Sequence, residues 1–560
     1  MTDIRRTILW VIFGFTLVLL WDQWQVYNGH PATFFPHGPA KTASAPAAAG
    51  SSSLPTPAGT TPAATSTTAL PGTPPTALAA AGEKIVVTTD LMRLTFDTEG
   101  GSLIGTEFLK EPSDDRQGNF VLLTEQAGHT YVAESGLIGG DFPNHKTVMA
   151  FTGDKQLKDG QDQMTVRFES PEKNGVKLVK TYTLKRGSYE VPVRHEVVNT
   201  GTQPVTPQLY LQLVRDGSKL SSGSSFYSTF TGPAVYTAEQ KFQKVDFTDI
   251  DKNKVDIQKE STSGYVAMVQ HYFASAWMLP EGTKRELFVR KLEGTNQYAV
   301  GMIAPVQVAP GATKAVDARF FAGPEDERML EKIEPGLDLV KDYGRLTIIS
   351  KPLYWLMAQL HSYIGNWGWS IMALVLLIKI AFYWLQAKGY ESMAKMKAIN
   401  PKVMAMRERF KDDPQKMQME MMRIYKEEKV NPMGGCFPIV IQIPVFIALY
   451  WVLLAGVEMR GAPWIGWIHD LSAPDPFYIL PVVMTLSTLF QTALNPAPPD
   501  PVQAKMMWFM PLAFSVMFFF FPSGLVLYWV TNNVLSIAQQ WLINTRMGVP
   551  VQFNLPKFGS

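Results

Sequence analysis

Polar and apolar positions along this chain follow two different rhythms. Between residue 84 and about residue 325, apolar residues alternate with polar ones or gather in β-branched runs, as in Lys84-Ile-Val-Val-Thr-Thr, Met92-Arg-Leu-Thr-Phe, Met164-Thr-Val-Arg-Phe, Lys177-Leu-Val-Lys-Thr-Tyr-Thr-Leu, Tyr189-Glu-Val-Pro-Val-Arg-His-Glu-Val-Val and Gln208-Leu-Tyr-Leu-Gln-Leu. A period of two places alternate side chains on opposite faces, so these segments read as strands. Asn174-Gly175 and Arg186-Gly187 are turn signals between them. Many short strands punctuated by Gly and Pro predict a large antiparallel β-sandwich over residues 84–330.

The second rhythm is one of unbroken apolar runs. They lie at residues 361–387, 434–457, 477–494, 505–521 and 523–543, the last two parted by Pro522, Ser523 and Gly524. A further run, Ile8 to Leu20, follows Arg5 and Arg6. A cleaved signal peptide needs small residues after the apolar core. Trp21, Asp22, Gln23 and Trp24 stand there instead, so residues 1–24 read as an uncleaved transmembrane anchor. Residues 25–83 are Pro, Ala, Ser, Thr and Gly almost throughout, a disordered tether with little apolar surface to offset ordering entropy. The expected whole is a polytopic α-helical membrane protein with six spans, carrying the sandwich between the first and second. At 1.5 Å per residue the runs at 477–494 and 505–521 are only about 27 and 24 Å long against a hydrocarbon core near 30 Å. Short spans thin the bilayer beside them.

Basic residues orient the spans. The segment 388–433 contains eleven Lys and Arg against seven Asp and Glu, a net charge of +4, whereas the loop 458–476 has Arg460 as its single Lys or Arg. Positive loops stay in the cytoplasm. Both termini, the segment 388–433, the loop 495–504 and the tail 544–560 are then inside; the sandwich, an amphipathic connecting helix at 331–360 and the loop 458–476 are outside.

Composition changes this picture little. The 46% hydrophobic and 18% charged residues and the net charge of +2 are averages over two unlike halves, for 18 of the 26 Met lie between Leu353 and Met547. The near-zero net charge argues against whole-chain binding to nucleic acid. Cys436 is the only cysteine, so no intramolecular disulfide forms and the exported domain holds together by its core alone.

Candidate chemistry concentrates in the apolar half. Lys379 sits in Ile371-Met-Ala-Leu-Val-Leu-Leu-Ile-Lys, nine residues before Lys388. An intramembrane cation is costly and marks a protein interior or a wet cavity, with snorkelling to the interface as the plainer alternative. Gln442, Thr485, Ser487, Thr488, Gln491, Ser515, Asn532 and Asn533 add neutral polar groups to the later spans, as interhelical glue or as the lining of an amphiphilic concavity. In segment 388–433, Asn400-Pro401 and Asp413-Pro414 each read as a helix start, with Asp412 to Pro414 as a hairpin tip. Nine Met in the same segment offer adaptable apolar contacts, and its excess of cations suits anionic lipids or ribosomal RNA.

Catalysis is not expected. None of the eight His lies deep in a span, which leaves an intramembrane protease without base or ligand. Ser523 reads as part of a tight outer turn. There is no Gly-rich nucleotide loop, and no cofactor or metal is expected. His145, His195 and His271 in the sandwich could be argued into a sugar or peptide cleft, but no metal-ligand or nucleophile spacing accompanies them.

Ser392-Met-Ala-Lys-Met, Asn431-Pro-Met-Gly-Gly-Cys-Phe-Pro, Gln442-Ile-Pro-Val-Phe, Trp467-Ile-His-Asp-Leu-Ser and Phe521-Pro-Ser-Gly-Leu-Val-Leu-Tyr-Trp, in this order, resemble the YidC family of membrane protein insertases from Gram-negative bacteria. The resemblance is close over about 350 to 545 and looser before it. It implies an inner-membrane insertase and chaperone rather than an enzyme, with a periplasmic β-supersandwich, a five-helix core and a hydrophilic groove closed to the outside. The family's groove charge, usually Arg, matches Lys379; Lys keeps the charge without the planar fork. By the same match Val375 and Trp529 resemble positions on the client slide, Phe446, Met484 and Met517 its remaining wall, and Asp412 a contact for targeting partners. The implied partners are nascent membrane proteins, the Sec translocon, the ribosome, the signal recognition particle or its receptor, and anionic lipids. The rival reading is a small-solute transporter or channel with a periplasmic receptor domain; it would call for paired half-repeats, and no internal repeat is seen. A carbohydrate-active outer domain on a passive anchor is a second rival.

Overall fold

The computed structural model describes residues 82–113, 117–218, 230–410, 413–428, 437–495, 501–546 and 553. The predicted anchor, all but the last two residues of the tether, Asp412 and Cys436 lie outside them. The chain divides into two compact units, one within residues 36–341 and one that includes residues 342–560.

Two nine-stranded sheets, their neighbouring strands antiparallel, build the first unit. One runs in spatial order Lys84–Thr88, Met92–Asp97, Ser102–Pro112, Asn119–Gln126, His129–Ile138, Gln208–Asp216, Gln297–Pro305, Arg285–Lys291 and Glu260–Ser261. The other runs Lys241–Lys244, Thr231–Thr237, Tyr265–Gln270, Phe273–Met278, Thr313–Pro324, Glu190–Asn199, Val176–Lys185, Gln163–Glu169 and Ala150–Gly153. The expected alternation is visible at Gln163–Glu169, where Met164, Val166 and Phe168 are buried and Thr165 and Arg167 exposed. Phe168 meets Phe96 of the other sheet at 5.4 Å between ring centroids. Asn174 and Gly175 take φ of 51° and 72° between two paired strands, a left-handed pair that Asn-Gly tolerates better than other residues.

Strands Tyr265–Gln270 and Phe273–Met278 are buried on both faces. The helix Glu327–Ile333 (α2, after the short α1 at Phe247–Asp251) and the turn Leu337–Val340 cover their outer side, where Ala267, Ala274 and Ala276 let Leu330, Leu337 and Val340 approach. Asp326 caps α2 by accepting from Met329 N at 2.9 Å.

The second unit is helical: α3 Thr347–Ile364, α4 Trp367–Ala381, α5 Tyr383–Arg409, α6 Pro414–Glu427, α7 Phe437–Ala455, α8 Ile479–Leu494, α9 Pro501–Ser515 and α10 Ser523–Arg546. The run predicted as one span at 361–387 is divided. Gly365 ends α3 at φ 73°, and Asn366 caps α4 by accepting from Trp369 N at 3.1 Å. At Phe382 the axis turns by 66° into α5. This bent pair is the one combination among the described residues that passes for a membrane crossing by length and apolarity; no single described helix does. The helix α8 has 16 residues, and the 24 residues of α10 include Asn532, Asn533, Gln539 and Gln540.

In the hairpin, Asp413 caps α6 at its side chain, accepting from Lys416 N at 3.1 Å with Pro414 in the first turn, as the pair predicts. Asn400-Pro401 does not start a helix: α5 runs through it, losing one backbone donor. Burial outweighs that loss. Ile399 and Val403 on either side of Pro401 pack against Met421, Ile424 and Tyr425 of α6. Among the described thioethers, Met396 and Met421 lie in this seam and Met404, Met419 and Met422 are exposed.

Candidate functional site

Lys379 lies in the last turn of α4 and is 7% exposed. Its Nζ donates to Ser536 Oγ of α10 at 2.7 Å, and no carboxylate pairs with it among the described residues. One turn earlier Val375, also buried, shares a crevice with Lys379, Phe382, Gln386, Gln442, Tyr528 and Asn532. Its interior volume is ≈ 20 Å³, room for about one water. Across it Gln442 Nε2 of α7 donates to Asn532 Oδ1 of α10 at 2.9 Å.

On the next residue Asn533 points to the other neighbour, donating to Ser487 Oγ at 3.0 Å and Thr488 Oγ1 at 2.8 Å on α8. The helix α10 is therefore a polar hub, reaching α4, α7 and α8 within five residues. Not every polar residue acts between helices. Thr485 and Ser515 donate back to Pro481 and Pro511 carbonyls of their own helices.

Of the remaining wall residues, the Phe446 and Trp529 rings meet at a tilt of 57° with centroids 4.6 Å apart, and Phe518 meets Trp529 edge-on at 5.6 Å. Phe446 is one turn beyond Gln442, so the apolar wall continues the polar crevice along α7. Met484 is buried on α8, its carbonyl accepting from Ser487 and Thr488, on the Asn533 side of the hub rather than in the crevice. Met517 is half-buried in the turn Val516–Phe520. Asp412 falls outside the described residues. Sequence reasoning missed Ser536 and Gln386. Ser536 is four residues after Asn532 and so on the same helix face, a spacing that would have found it.

One end of the bundle carries a tightly bonded loop. Asp475 accepts from Trp467 Nε1 and Phe477 N at 3.0 Å and from Leu480 N at 2.7 Å. Ser523 Oγ donates to Ala473 O at 2.8 Å, tying the start of α10 to that loop.

His145 and His195 are core groups of the sandwich. His195 is fully buried against Ser135 Oγ at 3.0 Å, and Lys180 beside it donates to the carbonyls of Gly100 and Ser135 at 2.6 and 2.7 Å. Burial takes the Lys180 ammonium down to about 7, and burial with the Lys180 charge takes His195 down to about 3. His145 meets the Tyr210 hydroxyl, and burial lowers its pKa as well. His271 is half-buried in a separate turn, its ring tilted against that of Tyr272.

Two family models match the chain: the YidC periplasmic domain over residues 84–356 and the 60Kd inner membrane protein over residues 359–549. A membrane protein insertase YidC from Cupriavidus necator is 57% identical over 549 residues, 98% of each chain, and one from Ralstonia nicotianae is 56% identical over 550 residues, again 98% of each. Among solved structures, an active YidC insertase with its first transmembrane domain resolved aligns over 81% of this chain and 91% of its own, at 20% identity and a TM-score of 0.39.

Proposed function

The chain belongs to the YidC family of membrane protein insertases, with a periplasmic domain and an inner-membrane helical region, and from that premise we propose that Lys379 is the charge with which it receives the polar segments of its clients. The observation that supports this most is the state of that ammonium. It is buried, held by one neutral hydroxyl, and unpaired with any carboxylate among the described residues. A buried cation without a counter-ion is destabilising, so its retention points to a partner that comes and goes. Attraction between unit charges at 4 Å is about 1 kcal/mol in water but about 4 kcal/mol at an effective dielectric near 20. An acidic residue of an incoming chain gains most where water is scarce.

The crevice is too small for a helix, so a client's polar segment enters as α4, α7 and α10 part at the Gln442–Asn532 hydrogen bond. Its apolar segment follows the wall of Val375, Phe446 and Trp529, with Met484 and Met517 beyond, and partitions into lipid by its own burial. Six spans with both termini cytoplasmic carry this core, the bent α4–α5 pair being the second. The hairpin of α5 and α6, with Asp412 at its tip, meets the ribosome and the signal recognition particle or its receptor. Anionic lipids meet its cations. The same core serves as a chaperone beside the Sec translocon, and no step calls for an enzyme or a cofactor.

The test is insertion by the purified protein in liposomes. Lys379→Ala should reduce insertion of a client with an acidic outer segment more than that of a neutral one, and photocrosslinks from positions 375, 379 and 529 should reach a stalled nascent chain. Equal reduction for both clients would refute the electrostatic part. The transporter reading gains no support from this bundle.

A further inference from the structure

A lysine ammonium rides on four methylenes and, in a helix near a membrane interface, drifts towards the nearer aqueous side. Lys379 is in the last turn of α4, nine positions before Lys388, so an unrestrained Nζ would move towards the cytoplasmic end. It does not. The Ser536 hydroxyl takes its hydrogen bond at 2.7 Å, and Ser536 is itself buried. Asn532, one turn back on α10, is engaged with Gln442 and not with Lys379.

We propose that Ser536 is a positioning residue that fixes the depth of the Lys379 charge, and through it the place along a client's polar segment where an acidic residue is accepted. The inference rests on the reading of Lys379 given above. A hydroxyl suits this task better than a carboxylate, because it holds the ammonium without cancelling its charge and leaves two of its three protons for an arriving group. A guanidinium would be held by its own planar fork; the compact ammonium on a flexible stem gets its direction from the acceptor.

The test uses full-length protein in liposomes and a single-span client in which one Asp is stepped through the translocated polar segment, with a matched Asn series. The wild type should favour Asp over Asn at one position, and Ser536→Ala should lower that preference about fivefold, the worth of one hydrogen bond, or move it by about a turn. Insertion of the Asn series should stay within about twofold, and Ser536→Thr should restore the wild-type profile. In the same vesicles, acylation of the Lys379 amine by a membrane-impermeant reagent from the inner side should rise about fivefold in Ser536→Ala, with Lys388 unchanged as reference. An unaltered Asp profile and unaltered acylation in Ser536→Ala would overturn the positioning role alone. Equal failure of Ser536→Thr, or a matching loss in the Asn series, would also overturn it in favour of simple packing. A wild type that does not distinguish Asp from Asn would overturn the reading of Lys379, and this inference with it.

Discussion

The side-chain amide of Asn533 donates to the Thr488 hydroxyl at 2.8 Å, and that hydroxyl passes its own proton to the Met484 carbonyl one turn back at 2.8 Å. A single amide thus joins α10 to α8 through a chain that ends on backbone. Asn533→Ala removes the link and should cost about 1 kcal/mol, the size usual for a hydrogen bond between membrane helices. Unfolding in mild detergent should begin at lower denaturant than for Val534→Ala, whose side chain is 53% exposed and carries no such bond.

Asp475 holds the loop before α8 with three donors on two oxygens, and it is 1% exposed. Asp475→Asn keeps the shape but replaces an acceptor with a donor facing a donor. The expected cost is about 1–3 kcal/mol. Hydrogen exchange in full-length protein should speed up at Phe477 to Leu480 and leave the sandwich strands unchanged.

Lys180 makes the stability of the β-sandwich depend on pH. Its folded pKa of about 7 lies below the unfolded value near 10.4, so between the two the unfolded chain binds the extra proton and stability rises as pH rises. Below pH 7 both states are charged and the slope vanishes. His195, at about 3 against an unfolded value near 6.5, adds a second rise between those two pH values. Hydrogen exchange at Val176–Lys185, corrected for intrinsic rates, should show protection growing from pH 7 to 9. In Lys180→Met that growth should disappear while the slope below pH 6 persists.

Arg285 is buried and spends its guanidinium on five carbonyls, those of Thr283, Gly264, Leu279, Thr262 and Pro280, at 2.7 to 3.3 Å. Lys has three donors and no fork, so Arg285→Lys should cost about 2–3 kcal/mol and Arg285→Ala more, with carbonyls left unbonded. Thermal unfolding of the two variants should fall in that order below the wild type.

The strands were legible because a sheet with one buried face writes its period into the sequence, as Met164, Val166 and Phe168 do. The hairpin was half legible. Asp413-Pro414 is a helix start on local grounds, since the carboxylate reaches a backbone donor three residues on. Asn400-Pro401 presents the same local signal and is overruled by Ile399 and Val403, whose burial against α6 keeps the helix going. The site was legible as residue types only: Lys379, Gln442, Asn532 and Asn533 could be picked out as polar groups among apolar ones, but not paired.

From its sequence alone this chain determines its family, an antiparallel β domain, an apolar helical half and one costly cation within it, because periodicity, apolar run length and motif order are properties of neighbours along the backbone. Only the tertiary structure decided that Asn532 and Asn533 serve opposite neighbours, that residues 361–387 break at Gly365 and turn at Phe382, and that Ser536 holds Lys379. Those outcomes depend on which helix faces come within about 3 Å of each other, a distance at which a hydrogen bond forms between residues as far apart as 379 and 536 and which no local pattern encodes.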